Sequence, residues 1–187
     1  GGWAGIDKGV AEQLAARGVP VIGVSSLKYF WRQRTPDETA ADMVRALRHY
    51  LAQWKASRIL LVGYSFGADV MPFVYNRLPP DLRARVETLS LLAVGERTDF
   101  EVHVSGWAGA RPADGFEVAP EVTRVAPLPV LCLYGDGDDE SRDGCERLRK
   151  SAPATAHAPT VAQVGDGHHF GWLYADLAQR ILDFAPR

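Results

Sequence analysis

A strand pattern that ends in a serine framed by two glycines constrains the fold of this chain more than any other stretch. Residues 59–62 are apolar, as in a buried parallel strand. They lead into Gly63-Tyr64-Ser65-Phe66-Gly67 and then into a helical pattern, which is the arrangement of a nucleophile elbow. Such a turn lifts the serine Oγ out of the sheet, and small residues two positions away avoid a clash. The stretch therefore predicts Ser65 as a nucleophile, with Gly63 and Gly67 required beside it.

The rest of the chain alternates predicted helices and strands, which is typical of an α/β protein. We predict helices over residues 6–17, 36–54, 66–78, 145–150 and 173–184, and further strands over 19–24, 86–94, 100–107, 129–134 and 160–164. Residues 111–128, rich in Pro, Gly and charge, are predicted to form an excursion between core elements.

The start of the chain affects the expected architecture. Because the glycine-rich residues 1–5 enter a helix with no strand in front of them, we expect a strand to precede residue 1. The expected fold is one α/β domain over residues 1–187, lacking its first strand or strands. Its sheet is expected to be mostly parallel, with helices on both faces.

The composition narrows the classes of function. Over 187 residues, 21 basic and 23 acidic side chains give a formal net charge of −2, which leaves no electrostatic footprint for nucleic acid. No apolar run reaches the ~18 residues of a membrane span, so no transmembrane segment is expected. The histidines and carboxylates lack metal-ligand spacing, and we expect neither a metal nor a cofactor. Cys132 and Cys145 are compatible with one bridge or with two buried thiols, and both readings stay open.

Three polar clusters follow predicted strands, where the active groups of an open parallel sheet collect. They are Ser65, Asp136 with Asp138, and His168 with His169. Their chain order of serine, acid and histidine is that of the α/β-hydrolase triad. In such a triad a neutral imidazole takes the serine proton, and a carboxylate orients the imidazole. The G-x-x-D sequence favours Asp138 over Asp136, and the G-H-x-F sequence favours His168 over His169.

Several separate motifs extend the resemblance beyond this superfamily. They are Gly1-Gly2-Trp3-Ala4-Gly5-Ile6-Asp7, Tyr29-Phe30-Trp31, Arg34-Thr35-Pro36, Asp42, residues 63–70 and Gly167-His168-His169-Phe170. Over nearly its whole length the chain resembles the bacterial virulence protein VirJ and the related C-terminal domain of AcvB. The resemblance implies a periplasmic hydrolase that cleaves the aminoacyl ester of lysyl- or alanyl-phosphatidylglycerol. It also implies an anionic phospholipid substrate at the membrane surface and secretion-system proteins as partners.

This reading assigns a role to individual residues. Ser65 attacks the ester carbonyl, His168 moves the proton and Asp138 orients it, while N–H groups of Phe66 and of the Gly2 region hold the oxyanion. Aromatic rings and cations together suit a phospholipid headgroup. The predicted substrate-binding residues are Trp3, Tyr29, Trp31, Arg32, Arg34 and Tyr64. The alternative for residues 28–34 is that the rings pack beneath their own loop and the cations are solvated.

Two other functions fit the same residues. A general carboxylesterase or thioesterase would use the same triad on soluble substrates. A secretion-associated adaptor would keep the fold and only bind partners, because a fold by itself does not imply an activity. Comparing turnover of the lipid with turnover of a short acyl ester separates the two enzymes. A Ser65→Ala variant that keeps its full biological role identifies the adaptor.

Overall fold

The computed structural model describes residues 3–102, 115–153 and 158–186. A parallel β-sheet lies at the centre of this part of the fold. The strands are β1 (Ile59–Tyr64), β2 (Val86–Leu92), β3 (Arg97–Thr98), β4 (Phe116–Glu117), β5 (Val130–Asp136) and β6 (Thr160–Asp166). Four of them form the sheet in the order β1-β2-β5-β6, and every neighbouring pair is parallel. The short strands β3 and β4 form a separate antiparallel pair.

Helices cover both faces of the sheet, which confirms the predicted fold class. They are α1 (Ile6–Ala16), α2 (Ser26–Tyr29), α3 (Pro36–Trp54), α4 (Phe66–Asn76), α5 (Pro80–Arg83), α6 (Val118–Thr123), α7 (Asp139–Ser151) and α8 (Tyr174–Phe184). Helices α3, α4, α6 and α7 contribute apolar side chains to one buried cluster, and α1 and α8 contribute to another. Because side chains alternate along a strand, the central strands supply residues to both clusters.

Helix α3 begins where the sequence predicts a helix start. The Thr35 hydroxyl accepts the N–H of Glu38 at 3.1 Å, and the Glu38 carboxylate accepts the N–H of Thr35 at 2.9 Å. This capping box satisfies two amides that have no partner inside the helix, and the ring of Pro36 suits the first helical position. The predicted bounds of this helix, residues 36–54, are confirmed.

The predicted strand over residues 19–24 is wrong. The segment is irregular and partly or fully exposed throughout. Val19 and Val21 pack on the cluster beneath α1 and α8, so the apolar pattern reflects contact with those helices. A strand also needs a neighbour to complete its hydrogen bonds, and among the described strands β1 pairs only with β2. The segment therefore packs against the fold without joining the sheet.

Other boundaries also differ from the predictions. Residues 100–102 lie outside any strand, and residues 103–107 lie outside the described ranges. The described part of the predicted excursion, residues 115–128, holds β4 and α6. The helix predicted over residues 145–150 is longer, because Asp138 caps α7 at its start. Helices α2 and α5 were not predicted, since each has four residues and is too short to show a periodicity.

A disulfide joins Cys132 on β5 to Cys145 on α7, which decides between the two readings that the sequence left open. Both cysteines are fully buried, and their Cα atoms lie 5.6 Å apart. The sequence separation of 13 residues includes the turn that leads to Asp138. The bridge therefore ties the middle of α7 to the strand that precedes it.

We predict that this bridge contributes about 3 kcal/mol to the free energy of unfolding, as expected for a closed loop of this length. Urea unfolding of the oxidised and reduced protein measures the difference, and a Cys132→Ala/Cys145→Ala variant should unfold like the reduced parent. A thiol reagent should find no free thiol in the unfolded, unreduced protein. Two reactive thiols in that titration would contradict the bridge.

Candidate active site

Ser65 occupies a strained turn between β1 and α4. Its backbone has φ 52° and ψ −122°, a region that residues other than glycine rarely adopt. Such a conformation costs on the order of 1–3 kcal/mol, so the surrounding structure has to hold it. The Ser65 N–H donates to the carbonyl of Leu92 on β2 at 2.8 Å, and α4 begins at the next residue. The turn places the Ser65 side chain at the carboxyl edge of the sheet.

The two glycines that frame Ser65 serve different purposes. A methyl group added to Gly63 would overlap backbone atoms of Gly67 in the first turn of α4, so only glycine fits there. At Gly67 the nearest atom outside its own helix is the Ser26 Oγ, 4.0 Å from the position of an added methyl group. The predicted steric requirement therefore applies to Gly63 and is wrong for Gly67.

The structure brings Ser65, His168 and Asp138 into one hydrogen-bonded row. The Nε2 of His168 lies 2.9 Å from the Ser65 Oγ, and its Nδ1 lies 2.8 Å from the Asp138 Oδ2. Because an ionised carboxylate only accepts, Nδ1 carries the ring proton and Nε2 accepts the hydroxyl proton of Ser65. The Asp138 side chain is 10% exposed, whereas the His168 side chain is 44% exposed. The carboxylate is thus shielded while the imidazole stays open to a substrate.

Asp138 is held in its ionised form. Burial by itself raises the pKa of Asp138, but hydrogen bonds from Ser141 and His168 outweigh burial and bring that pKa below its usual value. The Oδ1 accepts the N–H of Ser141 at 3.3 Å as the N-cap of α7, which leaves Oδ2 for His168. The carboxylate therefore stays charged in neutral and mildly acidic solution. Of the two acids that the sequence considered, Asp138 is the one bonded to the imidazole.

The turns that carry the acid and the histidine pack backbone against backbone. Strands β5 and β6 are neighbours, so their carboxyl ends lie side by side. The Gly167 N–H donates to the carbonyl of Asp136 at 2.6 Å, and a methyl group on Gly135 would overlap the carbonyl of Gly167. Asp136 thus takes part through its backbone, in the contact that sets the separation of the two turns.

A second cluster surrounds His168, and sequence reasoning missed most of it. The Tyr64 hydroxyl lies 2.9 Å from the Nδ1 of His169 and 3.3 Å from the carbonyl of His168. The Trp172 indole stacks on the His169 ring, with centroids 4.8 Å apart and planes 11° apart. Burial, reinforced by nearby carboxylates, raises the pKa of Tyr64, so the phenol keeps its proton. A tryptophan a few residues after the predicted strand-end turn is the sequence feature that could have indicated this cluster.

Two predicted substrate-binding residues make contacts within the fold. The Tyr29 hydroxyl donates to the Oδ2 of Asp42 at 2.5 Å, and the Arg34 guanidinium lies 4.9 Å from the centre of the Tyr29 ring. Burial, together with the hydrogen bond to Asp42, raises the pKa of Tyr29 to about 12. The backbone N–H of Arg34 also donates to the carbonyl of Phe100 at 3.0 Å. These contacts favour the alternative reading for Tyr29 and Arg34, in which they stabilise their own loop.

Trp31 and Arg32 are exposed next to the elbow. Trp31 is 64% exposed, and Arg32 is exposed as well. The preceding residue, Phe30, is buried and packs on Phe66 with ring centroids 5.0 Å apart. Phe66 is the first residue of α4, so its N–H has no acceptor within the helix. The loop that carries Trp31 and Arg32 therefore contacts, through Phe30, the residue whose N–H is the predicted oxyanion donor.

The loop before α1 lies beside the same edge of the sheet. The Trp3 ring packs against Gly23, and the Trp172 ring lies 3.6 Å from where a methyl group on Gly5 would be. Gly5 is the N-cap of α1 and has φ 55°, a conformation that favours glycine. Gly2, the other predicted oxyanion donor, lies outside the described residues.

Metal ligands and membrane-spanning helices are two further features that bear on function. Within the described ranges, no group of three or more His, Cys, Asp or Glu side chains is placed to hold a metal ion. In the same ranges, no helix combines the length and the apolar character needed to cross a bilayer.

The parallel sheet, the serine on a strand-to-helix turn, and an acid and a histidine from later strand ends define a protein of the α/β-hydrolase fold. Solved structures share this fold at low sequence identity. NosK from Streptomyces actuosus has a TM-score of 0.61 and 17% identity, covering 98% of this chain and 92% of that chain. An alpha-beta hydrolase from Vibrio vulnificus has a TM-score of 0.63 and 16% identity, covering 96% and 68%. The thioesterase domain from the curacin biosynthetic pathway has a TM-score of 0.55 and 14% identity, covering 95% and 86%.

A family comparison places the chain more narrowly than the fold does. Residues 1–187, which are the whole chain, match the family of the bacterial virulence protein VirJ, so the chain belongs to the VirJ family. This match confirms the resemblance drawn from the separate sequence motifs. No curated protein matches the chain.

We predict that alanine substitutions at the two framing glycines differ in their effect on stability. Gly63→Ala forces a methyl group into the backbone of α4 and should lower the free energy of unfolding by about 2–3 kcal/mol. Gly67→Ala has room and gains helix propensity, so it should change that free energy by less than about 1 kcal/mol. Urea unfolding of both variants measures the difference. Equal losses would contradict the asymmetric packing of the turn.

Proposed function

We propose that this protein is a serine ester hydrolase that cleaves the aminoacyl ester of an aminoacyl-phosphatidylglycerol. The observation that carries the proposal is the row of Ser65, His168 and Asp138, with hydrogen bonds of 2.9 and 2.8 Å on a strained turn. The α/β-hydrolase fold and membership of the VirJ family support a hydrolase. The particular substrate is argued below from the surface around the site.

The row can perform acyl transfer in two steps. The Ser65 Oγ attacks the ester carbonyl while the His168 Nε2 takes its proton, and Asp138 stabilises the imidazolium that forms. The tetrahedral intermediate collapses, and the glyceryl oxygen leaves with the proton returned by His168. A water molecule then attacks the aminoacyl-serine ester with His168 again acting as the base. The products are the free amino acid and phosphatidylglycerol.

The negative charge on the carbonyl oxygen needs donors that are already in place. The N–H of Phe66 is suited to this role, because it opens α4 directly after Ser65 and points out of the helix start. The first turn of α4 adds the favourable end of the helix dipole. A second N–H from the Gly2 region would complete the oxyanion hole in the usual geometry of this fold.

The exposed apolar side chains of the protein are concentrated around the site. Of the seven large apolar side chains that are exposed among the described residues, five lie in the loops and the short 3-10 turn at the carboxyl edge of the sheet. The five are Trp3, Val24, Trp31, Trp172 and Leu173. Lys28 on α2 and Arg32 in the loop that follows are exposed beside them. A site rimmed by aromatic rings and cations suits an ester that lies at an anionic lipid surface.

The bridge between Cys132 and Cys145 supports a periplasmic location, since disulfides persist in oxidising compartments and are rare in the cytosol. A periplasmic enzyme of this kind would meet its lipid substrate at the membrane surface.

The decisive experiment removes the nucleophile. Ser65→Ala should lower turnover of lysyl- and alanyl-phosphatidylglycerol by at least about 10⁴-fold, because the reaction then lacks its attacking oxygen. A fluorophosphonate should attach to Ser65 of the folded parent, as read by peptide mass spectrometry. Ser57→Ala, which changes an exposed serine before β1, is the matched control and should behave like the parent.

The same assay separates the alternatives. Attachment of the phosphonate elsewhere, or none to the folded parent, would overturn the nucleophile. Turnover of a short acyl ester equal to that of the lipid would favour a general esterase or thioesterase. Full biological activity of Ser65→Ala would favour an adaptor that only binds secretion-system partners.

Arg32 and Arg34 provide a sharper test of the substrate. Arg32→Ala should lower kcat/KM for the lipid by about 10-fold, the value expected for one charge-assisted hydrogen bond, and should leave a short neutral ester unaffected. Arg34→Ala is the comparison, because Arg34 packs on Tyr29 and its loss should lower the melting temperature. Kinetics on both substrates and thermal unfolding measure these effects. Equal losses on the two substrates for Arg32→Ala would contradict recognition of the phosphate by this loop.

A further inference from the structure

The turn that carries His168 follows β6, a strand at the edge of the described sheet. Strand β6 is the last strand in the order β1-β2-β5-β6, and β1 is the first. The turn after β6 nevertheless reaches residues at the end of β1, about a hundred positions earlier in the chain. The His168 side chain at the end of this turn is 44% exposed, so buried packing alone does not fix its position.

Tyr64 contacts this turn from β1, the strand at the opposite edge of the described sheet. Its hydroxyl lies 3.3 Å from the carbonyl of His168 and 2.9 Å from the Nδ1 of His169. Its ring also lies beside the imidazole of His168, with centroids 5.5 Å apart. Tyr64 directly precedes Ser65 and is the last residue of β1, so the strand that positions the nucleophile also positions this phenol.

One assignment of the protons lets all three groups form hydrogen bonds at once. In it the Tyr64 hydroxyl donates its single proton to the carbonyl of His168, which can only accept. The phenolic oxygen is then free to accept, and the Nδ1–H of His169 donates to it. In the other tautomer of His169, Nδ1 carries no proton and accepts the phenolic proton of Tyr64. The carbonyl of His168 would then face a lone pair of the phenolic oxygen and receive no hydrogen bond from it. A protonated His169 keeps its Nδ1–H, so the same arrangement holds for both charge states.

Trp172 completes the arrangement by holding the His169 ring. The indole stacks on that ring with a separation of 4.8 Å and an angle of 11°, and it lies over Gly5 at the start of α1. Offset stacking of this kind restricts the rotation of the imidazole about its side-chain bonds. The Nδ1 of His169 is therefore kept pointed at the phenol.

We propose that Tyr64 and His169 are positioning residues, which hold the turn of His168 through a relay from the Nδ1–H of His169 to the Tyr64 hydroxyl and on to the His168 carbonyl. The relay fixes the backbone of His168, while Asp138 and Ser65 bond to its ring. This inference rests on the proposed function, since it takes His168 as the general base. It assigns to Tyr64 a role other than direct contact with the substrate.

The amide variants of His169 test the tautomer. Asparagine places its NH₂ near the position of Nδ1, whereas glutamine places it near the position of Nε2. His169→Asn should therefore keep most of the activity, and His169→Gln and Tyr64→Phe should each lower kcat by about 10- to 100-fold with KM changed less than about 2-fold. The Tyr64→Phe/His169→Gln double variant should lose no more than the worse single variant, because both changes break the same relay.

Several outcomes would overturn the relay. Equal activity of His169→Asn and His169→Gln would show that the Nδ1 position does not matter. A change in KM without a change in kcat would show that these residues contact the substrate. Additive losses in the double variant would show that they act separately. Thermal unfolding of each variant identifies losses that come from the fold alone.

A measurement without turnover separates this proposal from the proposed function. Long-range ¹H–¹⁵N correlation spectra of the full chain report which nitrogen of each imidazole carries the proton. We expect the Nδ1–H form for His169 in the parent and a loss of that preference in Tyr64→Phe. An Nε2–H form in the parent would overturn the relay, whatever the activity of the protein. A missing esterase activity with the expected spectra would instead overturn only the reaction.

Discussion

The row of Ser65, His168 and Asp138 depends on a contact between residues that follow two strands which are not neighbours. With β2 and β5 lying between them, the ends of β1 and β6 are three strand spacings apart, or about 14 Å. The turn after β6 has to cross this distance along the carboxyl edge to bring His168 within 2.9 Å of the serine oxygen. The rest of the site supports this crossing, because the proposed nucleophile and the proposed base are otherwise out of reach of each other.

Close backbone packing holds the turns that carry Ser65, Asp138 and His168. Gly135 lets the turn after β5 touch the turn after β6, and Gly63 lets β1 touch the first turn of α4. The disulfide ties β5 to the middle of α7, the helix that Asp138 caps. These contacts hold a serine in a strained conformation and an imidazole that is open to solvent, which is the preorganisation that the proposed acyl transfer would require.

The local parts of this design were predictable from the sequence. The elbow at residues 63–67, the capping box at Thr35, the apolar runs of β1 and β5 and the strand-end placement of the three polar clusters each depend on residues a few positions apart. The prediction of a strand over residues 19–24 was wrong because it depended on more than local sequence. An apolar run indicates burial or contact, but a strand also needs a hydrogen-bonding neighbour, which local composition does not report.

The sequence by itself determined the elbow, the order of the serine, acid and histidine and the alternation of helices and strands, because these follow from local sterics and periodicity. Only the tertiary structure decided which acid meets His168, whether the cysteines are joined, and that Gly67 has space around it. It also decided that Tyr29 bonds to Asp42 and that His169 faces Tyr64. Each of these depends on the distance between side chains that are remote in sequence, and that distance is set by the packing of the whole sheet and its helices.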